Sequence, residues 1–109
     1  MLPTDWYSCS GTPDYFNSCD STGDYSVPNN GDGNQIAFNG VGYVGLYTVY
    51  YSFMNGDYKE YIGCLLKTPL IIGAKYYISF YVSLADISNC ASNNIGLLFS
   101  TKSYQDYQP

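Results

Sequence analysis

Histidine and arginine are both missing from this 109-residue chain, and charged residues of any kind make up only 12% of it. Without histidine the chain has neither the commonest general base near neutral pH nor the commonest metal ligand, so Ser-His-Asp and Cys-His catalysis are ruled out. Four lysines face nine acidic residues, for a formal net charge of −5. Phosphate backbones and anionic lipid surfaces are bound through clustered cations, so a nucleic-acid partner is excluded. No apolar run approaches the roughly 20 residues that span a bilayer, and membrane insertion is not expected. The first residues, MLPTDWYSCS, have neither a basic start nor an apolar stretch, so they do not read as a signal peptide. The scarcity of Glu and Lys also argues against exposed helices, which normally carry paired charges.

Aromatic side chains are abundant: 18% of the residues, 14 of them tyrosine, alongside 11 glycines and 5 prolines. Tyr, Val, Ile, Phe and Thr suit a pleated, half-buried surface, while Gly, Pro, Asn and Asp supply turns. The composition predicts one all-β domain over residues 1–109, with a turn-rich first third (1–34) and a strand-rich remainder (35–109). Strands are predicted at 35–38, 43–53, 58–67, 75–85 and 95–100, with an apolar run at 70–72 that meets a turn at Gly73. Asn39-Gly40 and Asn55-Gly56 are read as hairpin turns, Gly73 as a turn and 86–94 as a polar loop. The most regular stretch is 75–85, KYYISFYVSLA. Alternation there puts Tyr76, Ile78, Phe80, Val82 and Leu84 on a core face and Tyr77, Ser79, Tyr81 and Ser83 on the other. Several short strands without a helix predict an antiparallel β-sandwich or jelly roll.

Cys9, Cys19, Cys64 and Cys90 form an even set with no C-x-x-C spacing. Two readings stand: four reduced thiols, or disulfides in a secreted protein, with Cys9–Cys19 the easier pair and Cys64–Cys90 a second.

A family resemblance rests on GTPDYFNSC at 11–19, VPNN at 27–30, the spaced Gly33, Gln35, Ala37, Gly40, Tyr43 and Gly45, the stretch 58–86, and Ile95, Gly96 and Phe99. On these residues the chain resembles a domain common in secreted and cell-surface proteins of Bacteroidetes, found upstream of outer-membrane-protein-A-like or of secretion and gliding-type C-terminal modules. The resemblance implies a galactose-binding-like jelly roll of the carbohydrate-binding-module type, incomplete at both ends, and an extracellular or cell-surface location. The cysteines at 64 and 90 stand where the family has other residues.

Sugar rings present apolar C–H faces to aromatic rings, and their hydroxyls need amide, carboxylate and hydroxyl partners. Tyr77 and Tyr81 are the candidate platform, Asp86, Asn89, Asn93 and Asn94 the candidate polar contacts, and Trp6 and Tyr7 a candidate rim; the alternative is that both tyrosines pack under a covering layer. Asn30, Asp32 and Asn34 alternate like the opening of a calcium loop, but Gln35 and Val41 replace its glycine and bidentate glutamate, so a plain turn is the better reading. Asp14, Asp32 and Asp86 remain structural-calcium candidates, and no other cofactor is expected. Glu60 reads as a solvated strand residue, no acidic pair has a catalytic spacing, and an enzyme is not expected. The expected function is glycan binding or adhesion by a non-catalytic surface module. The alternatives are a structural subunit that self-associates through strand edges and an accessory fragment of a larger hydrolase.

Overall fold

The computed structural model describes residues 2–52 and 56–104. Eight short strands make up its regular structure: β1 (Trp6–Ser10), β2 (Asp14–Asn17), β3 (Asn29–Asn30), β4 (Gly33–Asn34), β5 (Gly42–Gly45), β6 (Tyr50–Ser52), β7 (Gly56–Tyr58) and β8 (Tyr61–Cys64). Every pairing is antiparallel, and no helix occurs among the described residues, so the fold is all-β. The strands form four separate two-stranded ribbons, β1–β8, β2–β5, β3–β4 and β6–β7.

Glycines set how close each ribbon packs. Gly63 pairs with Tyr7, and a Cβ added to it would lie 2.8 Å from the Tyr7 ring and 2.9 Å from Cys9 Sγ. Gly45 plays the same part beneath the Phe16 ring, where an added Cβ would come within 2.7 Å. An aromatic ring laid over a cross-strand glycine covers backbone that would otherwise face water. The register of β1 against β8 slips between Ser8 and Ser10, and the slip leaves Cys9 as the extra residue.

The interior is small. Cys9 and Phe16 are its buried hydrophobic residues, and Phe16 is 2% exposed. Its ring lies 5.2 Å from that of Tyr43 in a stacked pair and 5.9 Å from that of Tyr25 in a tilted one. This cluster joins the β2–β5 ribbon to the loop before β3.

Several predicted strands differ from those found. Residues 35–38 leave the ladder after Asn34. The predicted strand over 43–53 divides into β5 and β6, because at Tyr47 the chain turns its backbone onto Glu60: the Glu60 N–H donates to the Tyr47 carbonyl at 2.8 Å. The stretch 58–67 divides likewise at Lys59 and Glu60, and Leu66 falls beyond β8. Residues 70–72, 75–85 and 95–100 join no ladder. Gly40 and Gly73 lie in turns with φ of +72° and +82°, left-handed values that suit glycine, and 86–87 forms a turn. However, Asn39-Gly40 closes no hairpin, because β5 pairs with β2, and Gly56 is a strand residue of β7 paired with Ser52. Asn55 and Phe53 lie outside the described residues.

The face predicted as core in 75–85 is not buried. Tyr76, Ile78, Phe80 and Leu84 are about half exposed, between 46% and 51%, and Val82 reaches 64%, because no second layer of the described chain lies over them. On the other side Tyr77 is 98% exposed, while Tyr81 at 69% differs little from Val82, so the alternation is only partly kept as a difference in exposure.

All four cysteines are free thiols, so neither Cys9–Cys19 nor Cys64–Cys90 is bridged. Cys9 is buried, and burial pushes its thiol above the ordinary value, whereas Cys19 and Cys90 are exposed. Thiolate is the reactive form. With an aromatic disulfide reagent at pH 8, Cys19 and Cys90 are expected to react at least about tenfold faster than Cys9. A Cys9 rate matching that of Cys19 would show that the β1–β8 ribbon does not shield it.

Candidate functional site

Two of the predicted sugar-binding residues, Tyr81 and Asp86, meet residues 32–38 along one seam. The seam starts from the β3–β4 hairpin. There Asn30 Oδ1 accepts the Asp32 N–H at 3.0 Å, and Asn30 Nδ2 donates to the Ser26 carbonyl and, at 2.7 Å, to the Tyr43 hydroxyl. Asn34 Nδ2 donates to Asn29 Oδ1 at 2.7 Å. These bonds occupy the amides of Asn30 and Asn34 in turn chemistry, the local role for which asparagine is suited. Among the described residues no group of three or more carboxylates or thiols gathers as a metal site.

Asp86 reaches this hairpin from the far end of the chain. Its Oδ2 accepts the Asn34 N–H at 2.8 Å, and the Ile87 N–H donates to the Asp32 carbonyl at 3.4 Å. Gly33 makes the approach possible: its φ is +138°, and a Cβ there would lie 2.6 Å from Asp86 Cβ. Only glycine satisfies both the conformation and the space. One step along, Ser83 Oγ donates to Gln35 Oε1 at 2.6 Å. Then the rings of Phe38 and Tyr81 stack with centroids 3.5 Å apart and planes 15° from parallel. As the first partner climbs from 32 to 38, the second falls from 87 to 81. Residues 32–38 and 81–87 therefore run antiparallel, joined by side chains and the one Ile87–Asp32 backbone bond rather than by a ladder.

Seen from solvent, the seam presents an aromatic pair beside a hydroxyl, an amide and a carboxylate. Phe38 is 70% exposed and Tyr81 69%. Each ring has one face against the other, which leaves the outer faces available to a flat apolar surface.

Of the residues singled out from sequence, the structure brings Tyr81 and Asp86 together here. Tyr77 stands fully in solvent four residues away, and Asn89 lies in the exposed bend beyond Ser88. Trp6 and Tyr7 belong to the β1–β8 ribbon, Trp6 opposite Cys64 and Tyr7 over Gly63, and no contact among the described residues links them to the seam. Phe38 and Gln35 escaped the sequence reading. They sit in a segment taken for a half-buried strand, and the only available signal was the nearby Asn39-Gly40 turn, which ends the extended run at Phe38.

The other polar concentration is acidic. Glu60, read from sequence as a solvated surface residue, is buried at 5% exposure. Its Oε1 accepts the Thr12 N–H at 2.9 Å and the Tyr58 hydroxyl at 3.1 Å, and its Oε2 accepts the Tyr47 N–H at 2.9 Å. The Gly11 corner that delivers Thr12 adopts φ +73° and is closed in by the Tyr58 hydroxyl, so a side chain there has no room. Burial, followed by the nearby Glu60 and Asp32 carboxylates, pushes the Asp14 carboxyl above its ordinary range. Asp20 is held low instead, chiefly because the Thr22 hydroxyl donates to it at 2.7 Å. A shallow depression of about 460 Å³ opens here, lined by Asp14, Tyr15, Asn17, Cys19, Asp20 and Tyr25.

No known protein family, curated protein or solved structure matches the chain. Among the described residues no helix is long and apolar enough to cross a membrane.

Proposed function

We propose that this chain is a non-catalytic extracellular or cell-surface β module that binds polysaccharide along the Phe38–Tyr81 seam. The observation that carries the reading is the exposed aromatic stack, flanked by Ser83, Gln35 and Asp86. A pyranose ring packs its C–H face on an aromatic ring, and its equatorial hydroxyls reach the polar atoms at the edge of that ring. Single exposed aromatics are ordinary on protein surfaces; a stacked pair held in place by hydrogen bonds on one side is a firmer platform. Asp86 Oδ2 is engaged by the Asn34 amide and Gln35 Oε1 by the Ser83 hydroxyl, so these bonds fix the seam beside the ring faces that meet the ligand. The extracellular location and the galactose-binding-like jelly roll belong to this reading as expectations drawn from the sequence alone.

The test is retention on insoluble polysaccharides and a glycan array, comparing the unmodified chain with Tyr81→Ala and Phe38→Ala. Both side chains are mostly exposed, so the substitutions should leave stability within about 0.5 kcal/mol. Each is expected to weaken glycan retention about tenfold, which corresponds to about 1.4 kcal/mol. Equal retention by all three proteins would remove the stack from any binding site, and absence of binding by the unmodified chain would end the glycan reading.

A further inference from the structure

Residues 65–104 contain no strand among the described residues, yet they hold much of the chain's most strand-compatible sequence. No backbone N–H or C=O between residues 75 and 84 has a hydrogen-bond partner in the described chain. An extended, apolar segment with free backbone groups is a template for pairing with another strand. Its side chains are uncovered too, with Ile78 51% and Val82 64% exposed, and so are those around it: Leu65 is 81% exposed, Ile71 71%, Leu98 73% and Ile72 wholly exposed.

The accessible surface is 9248 Å², where a compact chain of 12.1 kDa exposes about 6,000 Å². The Cα radius of gyration is 15.3 Å, against about 13 Å for a compact domain of this length. A standard stable interface needs only about 800 Å² from each partner. The surplus is several times larger, enough for an extensive interface.

Charge indicates what covers it. Residues 1–60 hold seven carboxylates and one lysine, while residues 61–104 hold Lys67, Lys75 and Lys102 against Asp86 alone. Among the described residues no ion pair joins these two parts within one chain. The uncovered apolar segment is therefore positively charged, and the ribbon region of the same chain, with its depression beside Asp14 and Asp20, is negative. Two copies placed like against like would repel, whereas two copies placed head to tail match in sign.

We infer that residues 65–84 of one copy lie along the acidic ribbon region of a second copy, with residues 75–84 pairing edge to edge as an added strand and Lys67 and Lys75 facing carboxylates. The contact joins two unlike surfaces, so it is heterologous and repeats into a ring or an open filament rather than stopping at a symmetric dimer. Strand pairing occupies backbone groups in the plane of the sheet and apolar side chains on one face. It leaves the Tyr77 and Tyr81 face open, so the inference goes beyond the glycan reading and does not depend on it.

Sedimentation of the full chain between 2 and 200 µM is the test, in 50 and 500 mM NaCl. The expected result is a mass that rises with concentration, with apparent affinity about fivefold weaker at the higher salt as the facing charges are screened. The double substitution Lys67→Glu with Lys75→Glu alters exposed side chains and is expected to weaken association at least about tenfold. Ile78→Pro removes a backbone donor that has no partner in the monomer, and it is expected to abolish association. A constant monomer mass up to 200 µM overturns the inference. Association that strengthens with salt, or that survives either variant unchanged, overturns the head-to-tail strand contact. Glycan retention measured on the same variants reports separately on the aromatic seam.

Discussion

Phe16→Ala is expected to lower the stability of the chain by about 3 kcal/mol or more. Phe16 is 2% exposed and sits between the rings of Tyr25 and Tyr43, with Gly45 beneath it. Truncation there removes the transfer energy of a phenyl ring and leaves a cavity. Gly45 has no side chain to fill it, and the two tyrosines are held by backbone that cannot simply collapse inward. Among the described residues Cys9 and Phe16 are the buried hydrophobic ones, and no other buried apolar cluster compensates. Thermal unfolding followed by near-ultraviolet circular dichroism should show a midpoint lower by at least about 12 °C, at roughly 4 °C per kcal/mol for a chain of this size. Tyrosine signals should also lose their fixed asymmetry before global unfolding. A shift below about 4 °C would mean that the ring is not the anchor of the β2–β5 ribbon.

Glu60→Ala is the second large effect. The carboxylate is the shared acceptor for three donors: the backbone amides of Thr12 and Tyr47 and the Tyr58 hydroxyl. Thr12 follows β1, Tyr47 follows β5, and Tyr58 closes β7, so one side chain ties together three ribbons. Removing it strands two amide donors at a part-buried position, and each orphan costs up to about 1–3 kcal/mol. A total loss of about 3 kcal/mol is expected in urea unfolding. Tyr58 softens the effect slightly, because its hydroxyl also accepts the Thr12 N–H at 3.1 Å. Glu60→Gln keeps the shape and one carbonyl oxygen but turns an amide NH₂ toward a donor, so it should lose about half as much. Alanine and glutamine variants both as stable as the unmodified chain would show that water satisfies those amides and that the three ribbons hold together without Glu60.

These two residues show where sequence reasoning reached and where it stopped. Phe16 lies in a motif noticed from sequence, DYFN, but nothing in its spacing marks it above fourteen tyrosines and four other phenylalanines as the buried ring. Glu60 was misread for a clear reason. Its neighbours Lys59 and Tyr61 are an ordinary strand context, and a lone glutamate in such a context is usually solvated. The donors that draw it inward come from positions 12 and 47, and no local pattern reports a pairing across 48 residues. The seam has the same character. Tyr81 and Asp86 were legible because they lie together in sequence, whereas Phe38 and Gln35 reach them only when 32–38 runs beside 81–87.

By itself the sequence determined the class of the fold, the chain reversals at Gly40 and Gly73, and the charge. Those follow from local properties: β-branched and aromatic side chains disfavour helix, glycine with positive φ fixes Gly40 and Gly73, and the acidic surplus is a sum over residues. Only the tertiary structure decided which strands pair, which carboxylate is buried and which apolar face stays uncovered. Ladder partners such as Trp6 and Cys64 are 58 positions apart, and the energy of burial depends on what lies opposite rather than on what lies adjacent. Alternation in 75–85 specified two faces; whether either is a core was settled by the absence, among the described residues, of a layer to cover it.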